Sequence, residues 1–200
     1  MSDFFIEMFE IIGTVAFAMS GATVAIEKEM DILGVVVLGI TTAIGGGIIR
    51  DVLIGTLPPV SLCNPEYAII AIIVSLTVFV PKIRKHINMN SISMVAVDAV
   101  GLGAFTIVGC NSAIGFDNIF LQIFLGVLTG VGGGVLRDIF AAQKPKIFVR
   151  HFYAMASLFG AITYSLILPY SNSAAIISGM IVVVILRIAA AKYKWHLPKA

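Results

Sequence analysis

Apolar residues in this chain come in long unbroken runs, not in the short rhythms of half-buried surface helices or strands. Seven runs cover about residues 4–25, 32–54, 66–81, 92–110, 118–141, 150–168 and 174–192. A helix needs about 20 mostly apolar residues to cross a bilayer, within a range of roughly 17–25. Each run is therefore predicted to span a membrane, the third being short unless it borrows from its flanks. The breaks carry turn and charge signals: EKEMD at 27–31, TLPPVSLCNP at 56–65, PKIRKHINMN at 81–90, GFDN at 115–118, AQKPK at 142–146 and PYSNS at 169–173.

Composition agrees. Of 200 residues, 59% are hydrophobic and 12% charged, with a mean hydropathy of +1.04. Soluble domains are about 45–50% apolar and about 25% charged, so lipid must be the solvent over most of the surface. The expectation is one all-α integral membrane domain over residues 1–200, with no room for a soluble domain. The start, MSDFFIEMFE, carries Asp3, Glu7 and Glu10 but no Lys or Arg. It lacks a signal peptide's positive leader and is read as a mature end.

Charge placement sets the orientation. With seven spans and the N-terminus outside, the inner segments hold Lys28, Lys82, Arg84, Lys85, Lys144, Lys146, Arg150, Arg187, Lys192, Lys194 and Lys199, while the outer segments hold no Lys or Arg. By the positive-inside rule the N-terminus is outside and the C-terminus cytoplasmic. Tyr193 and Trp195 suit an interfacial aromatic anchor after the last span. His86, His151 and His196 fall in basic loops, and Cys63 and Cys110 have neither metal-ligand nor redox spacing, so both cysteines read as small apolar residues, a disulfide between them near the outer face being the alternative.

One segment occurs twice. Residues 39–53, GITTAIGGGIIRDVL, and 126–140, GVLTGVGGGVLRDIF, share seven of fifteen positions at an offset of 87. Pro58 and Pro145 match at the same offset. Upstream an offset of 88 pairs Glu10 with Asp98, Gly13 with Gly101, Ala16–Phe17 with Ala104–Phe105, and Gly21 with Gly109. Repeat 1 covers about 4–81 and repeat 2 about 92–168, with a seventh helix at about 174–192. Three spans per copy make the second copy enter from the opposite side, giving an inverted-topology repeat.

The chemistry-bearing residues lie in these copies. Three successive glycines cost a helix about 1 kcal/mol each relative to alanine, and in lipid a loosened backbone survives only against protein or a water-filled cavity. Gly45, Gly46 and Gly47, with Gly132, Gly133 and Gly134, are read as kinks at a cavity in the second and fifth spans; the alternative is that they let two helices approach closely, and both can hold. Gly101, Gly103 and Gly109 offer small-residue contacts between helices or subunits. Arg50–Asp51 and Arg137–Asp138 follow each triplet by about one turn. An ionised group at mid-bilayer costs roughly 2.5–3.5 kcal/mol on insertion scales, so ion pairs of Arg50 with Glu10 and Arg137 with Asp98 are expected. Thr14, Ser20, Thr41, Thr42, Thr106 and Thr129 are candidate pore-lining hydroxyls, suited to a partly dehydrated cation. No nucleophile–base set, metal cluster or phosphate loop appears, so neither enzyme activity, a cofactor, a resident metal nor nucleic-acid binding is expected.

GGGIIRD and GGGVLRD, 87 residues apart in a chain of this length, resemble the prokaryotic trimeric intracellular cation (TRIC) channels, whose bacterial members are also labelled putative glycine transporters. The resemblance covers the whole chain. It implies a homotrimer in the cell inner membrane, with a pore in each subunit between the first, second, fourth and fifth spans. The permeant ion would be mainly potassium, with sodium also passing. Animal relatives carry a lysine-containing motif where this chain has Ile48–Ile49–Arg50–Asp51, so their regulation is not carried over. The alternative is a secondary carrier of a small zwitterion such as glycine, since inverted repeats with an Arg and an Asp nearby suit a ligand bearing both charges. A membrane scaffold is the third class.

Overall fold

A computed structural model describes residues 2–84, 92–149 and 152–195. His86, His151 and His196, with Lys85, Arg150 and Lys199, lie outside the described residues. The described chain is helical, without strands: α1 (Ser2–Glu27), α2 (Ile32–Ile54), α3 (Val60–Cys63), α4 (Pro65–Phe79), α5 (Pro81–Arg84), α6 (Ile92–Asn111), α7 (Ile119–Phe140), α8 (Lys146–Val149), α9 (Tyr153–Ile167) and α10 (Asn172–Lys192).

Local sequence sets these limits. Asp31 caps α2 by accepting from the Gly34 N–H at 2.8 Å, and Gly55 ends it in the left-handed region at φ 76°. Asn118 and Ser171 cap α7 and α10 in the same way, and Pro65 opens α4 where its missing N–H costs nothing. Helices α1, α2, α6, α7 and α10 are long and apolar enough to cross a membrane, while α4 and α9 are shorter apolar helices of 15 residues each. At about 1.5 Å per residue a 15-residue helix rises about 22 Å, less than a hydrocarbon core of about 30 Å. The third run is short, as expected. The sixth is shortened as well, because Phe152 takes a left-handed conformation just before α9.

Four helices form a central ring, in which α1 packs on α2 and α6, and α7 packs on the same two. Helix α4 lies against α1 and α2, α9 against α7 and α6, and α10 against α6 and α9. Exposed apolar side chains such as Phe120, Phe140 and Ile185 cover the outside, as expected of a surface in contact with lipid. Phe17 and Phe105 meet inside the ring with centroids 5.2 Å apart. Each ring rests on a glycine of the other helix, Phe17 on Gly101 and Phe105 on Gly13.

Gly101, Gly103 and Gly109 are therefore used within the subunit. A side chain at Gly103 would meet Met180 and Val183 of α10, and one at Gly109 would meet Leu125 and Thr129 of α7. Cys63 is exposed and Cys110 buried, and both are free thiols.

Candidate functional site

The two Arg–Asp pairs sit near the ends of α2 and α7, where each aspartate does the same local work. The Arg50 Nε donates to Asp51 Oδ1 at 2.8 Å, and Asp51 Oδ2 accepts the Val60 N–H at 2.9 Å. The Arg137 Nε donates to Asp138 Oδ1 at 2.9 Å, and Asp138 Oδ2 accepts the Lys146 N–H at 2.7 Å. Each carboxylate thus holds its own arginine and ties down the first residue of the following one-turn helix, α3 or α8. Gln143 adds a bond to Asp138 at 2.9 Å.

Beyond that shared core the surroundings differ. Arg137 is fully buried, and its Nη1 donates to Ser20 Oγ at 2.6 Å and to Asp98 Oδ1 at 3.2 Å. The expected pair of Arg137 with Asp98 is present. Arg50 has Asp51 as its ion-pair partner among the described residues, and Glu10 accepts the Tyr67 hydroxyl instead. The expected pair of Arg50 with Glu10 is absent, because tyrosine has taken the carboxylate.

Between these clusters α2 and α7 cross with their backbones in contact. A Cβ on Gly46 would lie 2.5 Å from the Thr129 carbonyl oxygen, and one on Gly132 would lie 3.2 Å from Gly46 Cα. A Cβ on Gly133 would overlap the Thr42 carbonyl and touch the Phe17 ring at 3.2 Å. Only glycine allows so close an approach. Gly47 and Gly134 face their own arginines more loosely, at 3.7 Å in both cases, and Gly45 faces Leu136.

Two small cavities lie at opposite ends of α1 and α6. One, of about 30 Å³, is lined by Glu10, Thr14, Gly47, Arg50, Ser61, Tyr67 and Phe105, among others. The other, of about 70 Å³, is lined by Ser20, Thr23, Glu27, Asp98, Lys146 and Arg187, with Val24, Met94 and Val95. Phe17 stands on α1 between the two sets. One water needs about 10–15 Å³ by this measure, so both cavities have room for water or a small ion.

Thr14 and Ser20 are thus brought to the charged clusters. Thr42, Thr106 and Thr129 line neither cavity. Each donates to the carbonyl four residues back, at 2.6–2.7 Å, and Thr106 also meets Ser157 on α9 at 2.7 Å. Thr41 is half-buried and borders neither cavity.

A family model described as Glycine transporter matches this chain over residues 7–82 and 95–169. Among curated relatives, the UPF0126 inner membrane protein YadS of Escherichia coli K12 is 34% identical over 194 residues, covering 94% of this chain and 91% of the relative. The UPF0126 membrane protein YvgT of Bacillus subtilis is 39% identical over 198 residues, covering 96% and 95%. A solved structure described under "Structural basis for conductance through TRIC cation channels" superposes with a TM-score of 0.89 at 42% identity, covering 97% of this chain and 96% of that one. The TRIC orthologue from Rhodobacter sphaeroides gives 0.85 at 30% identity, covering 94% and 98%. The chain belongs to the prokaryotic TRIC channel family.

In this TRIC-family chain several residues at the two clusters escape sequence reasoning. Tyr67 and Tyr153 are the clearest: EYA at 66–68 and FYA at 152–154 align at an offset of 86, a signal easily lost after two shifts of register. Ser61 and Gln143 fall in the connecting segments. Arg187 reads in sequence as one more inner positive charge, yet it is buried, with its guanidinium 5.0 Å from the Tyr153 ring centroid.

Proposed function

We propose that the protein is a monovalent-cation channel with one path through each subunit, potassium being the main permeant ion and sodium also passing. The observation that carries this reading is the pair of cavities at opposite ends of α1 and α6, each bordered by an arginine and an acid. The 42% identity to a chain described as a TRIC cation channel supports it. The path runs between α1, α2, α6 and α7 and narrows at the glycine crossing, where a bend at each triplet turns carbonyls toward the ion. Asp51 and Asp138, with Asp98 and Glu10, offset the positive charge of Arg50 and Arg137 along the path.

The same proposal places seven spans in the inner membrane as two inverted three-helix copies plus α10, with the N-terminus outside and the C-terminus cytoplasmic. The one-sided Lys and Arg distribution supports the orientation. The match of one family model to residues 7–82 and to 95–169 supports the duplication. YadS is named an inner membrane protein. A homotrimer is proposed because the Rhodobacter sphaeroides relative is described as trimeric.

Single-channel recording of the purified protein in planar bilayers tests the proposal. Resolved unitary currents in potassium chloride are expected. A carrier turns over too slowly to produce them, so their absence alongside substrate uptake would favour the second reading, transport of a small zwitterion. That reading is supported by the family description and by the mixed charges of the larger cavity.

A further inference from the structure

The two copies carry the same four groups at corresponding places: an acid on α1 or α6, a glycine and an arginine on α2 or α7, and a tyrosine at the start of α4 or α9. Glu10 corresponds to Asp98, Gly47 to Gly134, Arg50 to Arg137 and Tyr67 to Tyr153. Their bonds are complementary. In the first copy the acid accepts from the tyrosine, while the arginine pairs with Asp51. In the second the acid pairs with the arginine at 3.2 Å, and the tyrosine hydroxyl has no hydrogen-bond partner among the described residues. Each carboxylate thus takes one of the two donors that its copy offers and leaves the other.

The cavities follow the bonds. Tyr67, bound to Glu10, forms part of the wall of the cavity of about 30 Å³. Among the described residues Tyr153 does not border the cavity of about 70 Å³ that Asp98 lines, and its ring lies 5.0 Å from the Arg187 guanidinium. A tyrosine drawn to its acid narrows its own cavity, and one withdrawn leaves room. The third glycine of each triplet provides space for such a movement. Close packing of α2 on α7 accounts for Gly46, Gly132 and Gly133, whereas a Cβ on Gly47 would meet nothing nearer than Arg50 Nη2 at 3.7 Å. A Cβ on Gly134 would lie 3.7 Å from Arg137 Nη2 and 3.4 Å from the Tyr153 hydroxyl. Both of those polar atoms are buried and unpartnered, and they border one unfilled notch beside the Arg137–Asp98 pair.

We propose that the chain exchanges these two bonding patterns between its copies. In the second state Glu10 leaves Tyr67 for Arg50, and Asp98 leaves Arg137 for Tyr153. The cavity around Glu10 then widens and the one around Asp98 narrows, so the more open side changes, as inverted copies allow. Asp138 keeps the Arg137 Nε throughout, as Asp51 keeps that of Arg50, so neither arginine loses its last carboxylate. Ser20 bonds Arg137, and its counterpart Val108 has no hydroxyl to do the same for Arg50. That extra bond makes the present pattern the more populated of the two. The exchange rests on the inverted-copy reading proposed above and holds whichever solute passes.

Thiol labelling tests it. Thr14→Cys and Ser20→Cys, each in a Cys63→Ser, Cys110→Ala background, are treated with a membrane-impermeant maleimide in spheroplasts and in inside-out vesicles. Thr14→Cys should react in the first and Ser20→Cys in the second. Tyr67→Phe removes a hydrogen bond of the present state and should speed Thr14→Cys labelling about fivefold. Tyr153→Phe removes a bond made only in the second state and should slow the same labelling about fivefold, although it lies in the other copy. The two substitutions together should restore nearly the parent rate. An unchanged Thr14→Cys rate in Tyr153→Phe overturns the exchange, even where Tyr67→Phe speeds labelling, because that rise alone reports local access. Should Tyr67→Phe lose its monodisperse elution profile, Tyr153→Phe decides the matter, since it removes no bond present in this structure. Both thiols reacting from the same face of the membrane would overturn the inverted-copy reading and the exchange with it, whereas opposite faces without the reciprocal shift would overturn the exchange alone.

Discussion

The Arg50 cluster and the Arg137 cluster begin from one motif and end in different electrostatic states. Around Arg137, two carboxylates and a serine hydroxyl close on a guanidinium with no exposure to solvent. Around Arg50, a single carboxylate does the pairing and the second acid is bound to a tyrosine. Ser20 accounts for much of the difference. At the offset of 88 its counterpart is Val108, which lines the Arg50 cavity without a hydroxyl to bridge arginine and acid. The tyrosines complete the contrast, since Tyr67 holds Glu10 while the Tyr153 hydroxyl has no partner and its ring faces Arg187. The two copies of the motif thus share one local framework, and the different residues around them leave one arginine locked and the other loosely held.

The largest break in this comparison should come from the acids. Asp98→Asn removes a carboxylate from a buried arginine and should lower stability on the order of 3 kcal/mol, as for other buried pairs deprived of a partner. Glu10→Gln keeps an acceptor for Tyr67 and should cost about 1 kcal/mol or less. Thermal unfolding of the two variants in the same detergent checks the ranking, and equal losses would mean the clusters are held alike.

The glycines come next. Gly133→Ala should cost about 1–3 kcal/mol, because its methyl group meets the Thr42 carbonyl and neither backbone can yield without moving a helix. Gly47→Ala meets nothing nearer than Arg50 Nη2 at 3.7 Å, so the helix propensity of alanine should leave stability unchanged or raise it by up to about 1 kcal/mol. Urea or thermal unfolding showing both variants equally impaired would remove the close crossing from the account. The tyrosines give the smallest effect. Tyr67→Phe loses a hydrogen bond worth about 1 kcal/mol, whereas Tyr153→Phe removes a hydroxyl with no partner and should be near neutral by the same assay.

How far these features could be read from sequence depends on their range. The apolar runs announced every long helix, because a continuous stretch of about twenty apolar residues has few other uses. Asp31, Gly55 and Asn118 could be recognised as ends because capping is a local affair. Arg137 with Asp98 could be expected from cost alone, since two buried opposite charges in one small bundle seek each other. Arg50 with Glu10 could not be decided that way, because the competing hydroxyl of Tyr67 comes from a third helix. Which threonines face a cavity could not be read for a related reason: a hydroxyl in a membrane helix can satisfy itself on its own backbone, as those of Thr42 and Thr129 do while Thr14 lines a cavity, and residue type does not reveal the choice. Arg187 was hidden by its place near the chain's basic end, where a positive charge needs no further explanation.

The central claim is that ions pass through both cavities in series, across the crossing of α2 and α7. Thr14 lines one cavity and Ser20 the other, so each can be replaced by a thiol in a Cys63→Ser, Cys110→Ala background. Potassium flux into liposomes is then measured before and after a positively charged, membrane-impermeant thiol reagent is supplied on both sides. The account predicts that Thr14→Cys and Ser20→Cys each conduct beforehand and lose most of their flux on modification, while the cysteine-free background is unaffected. Full modification of both positions, verified by mass spectrometry, with flux unchanged in each would place the path elsewhere and contradict the account.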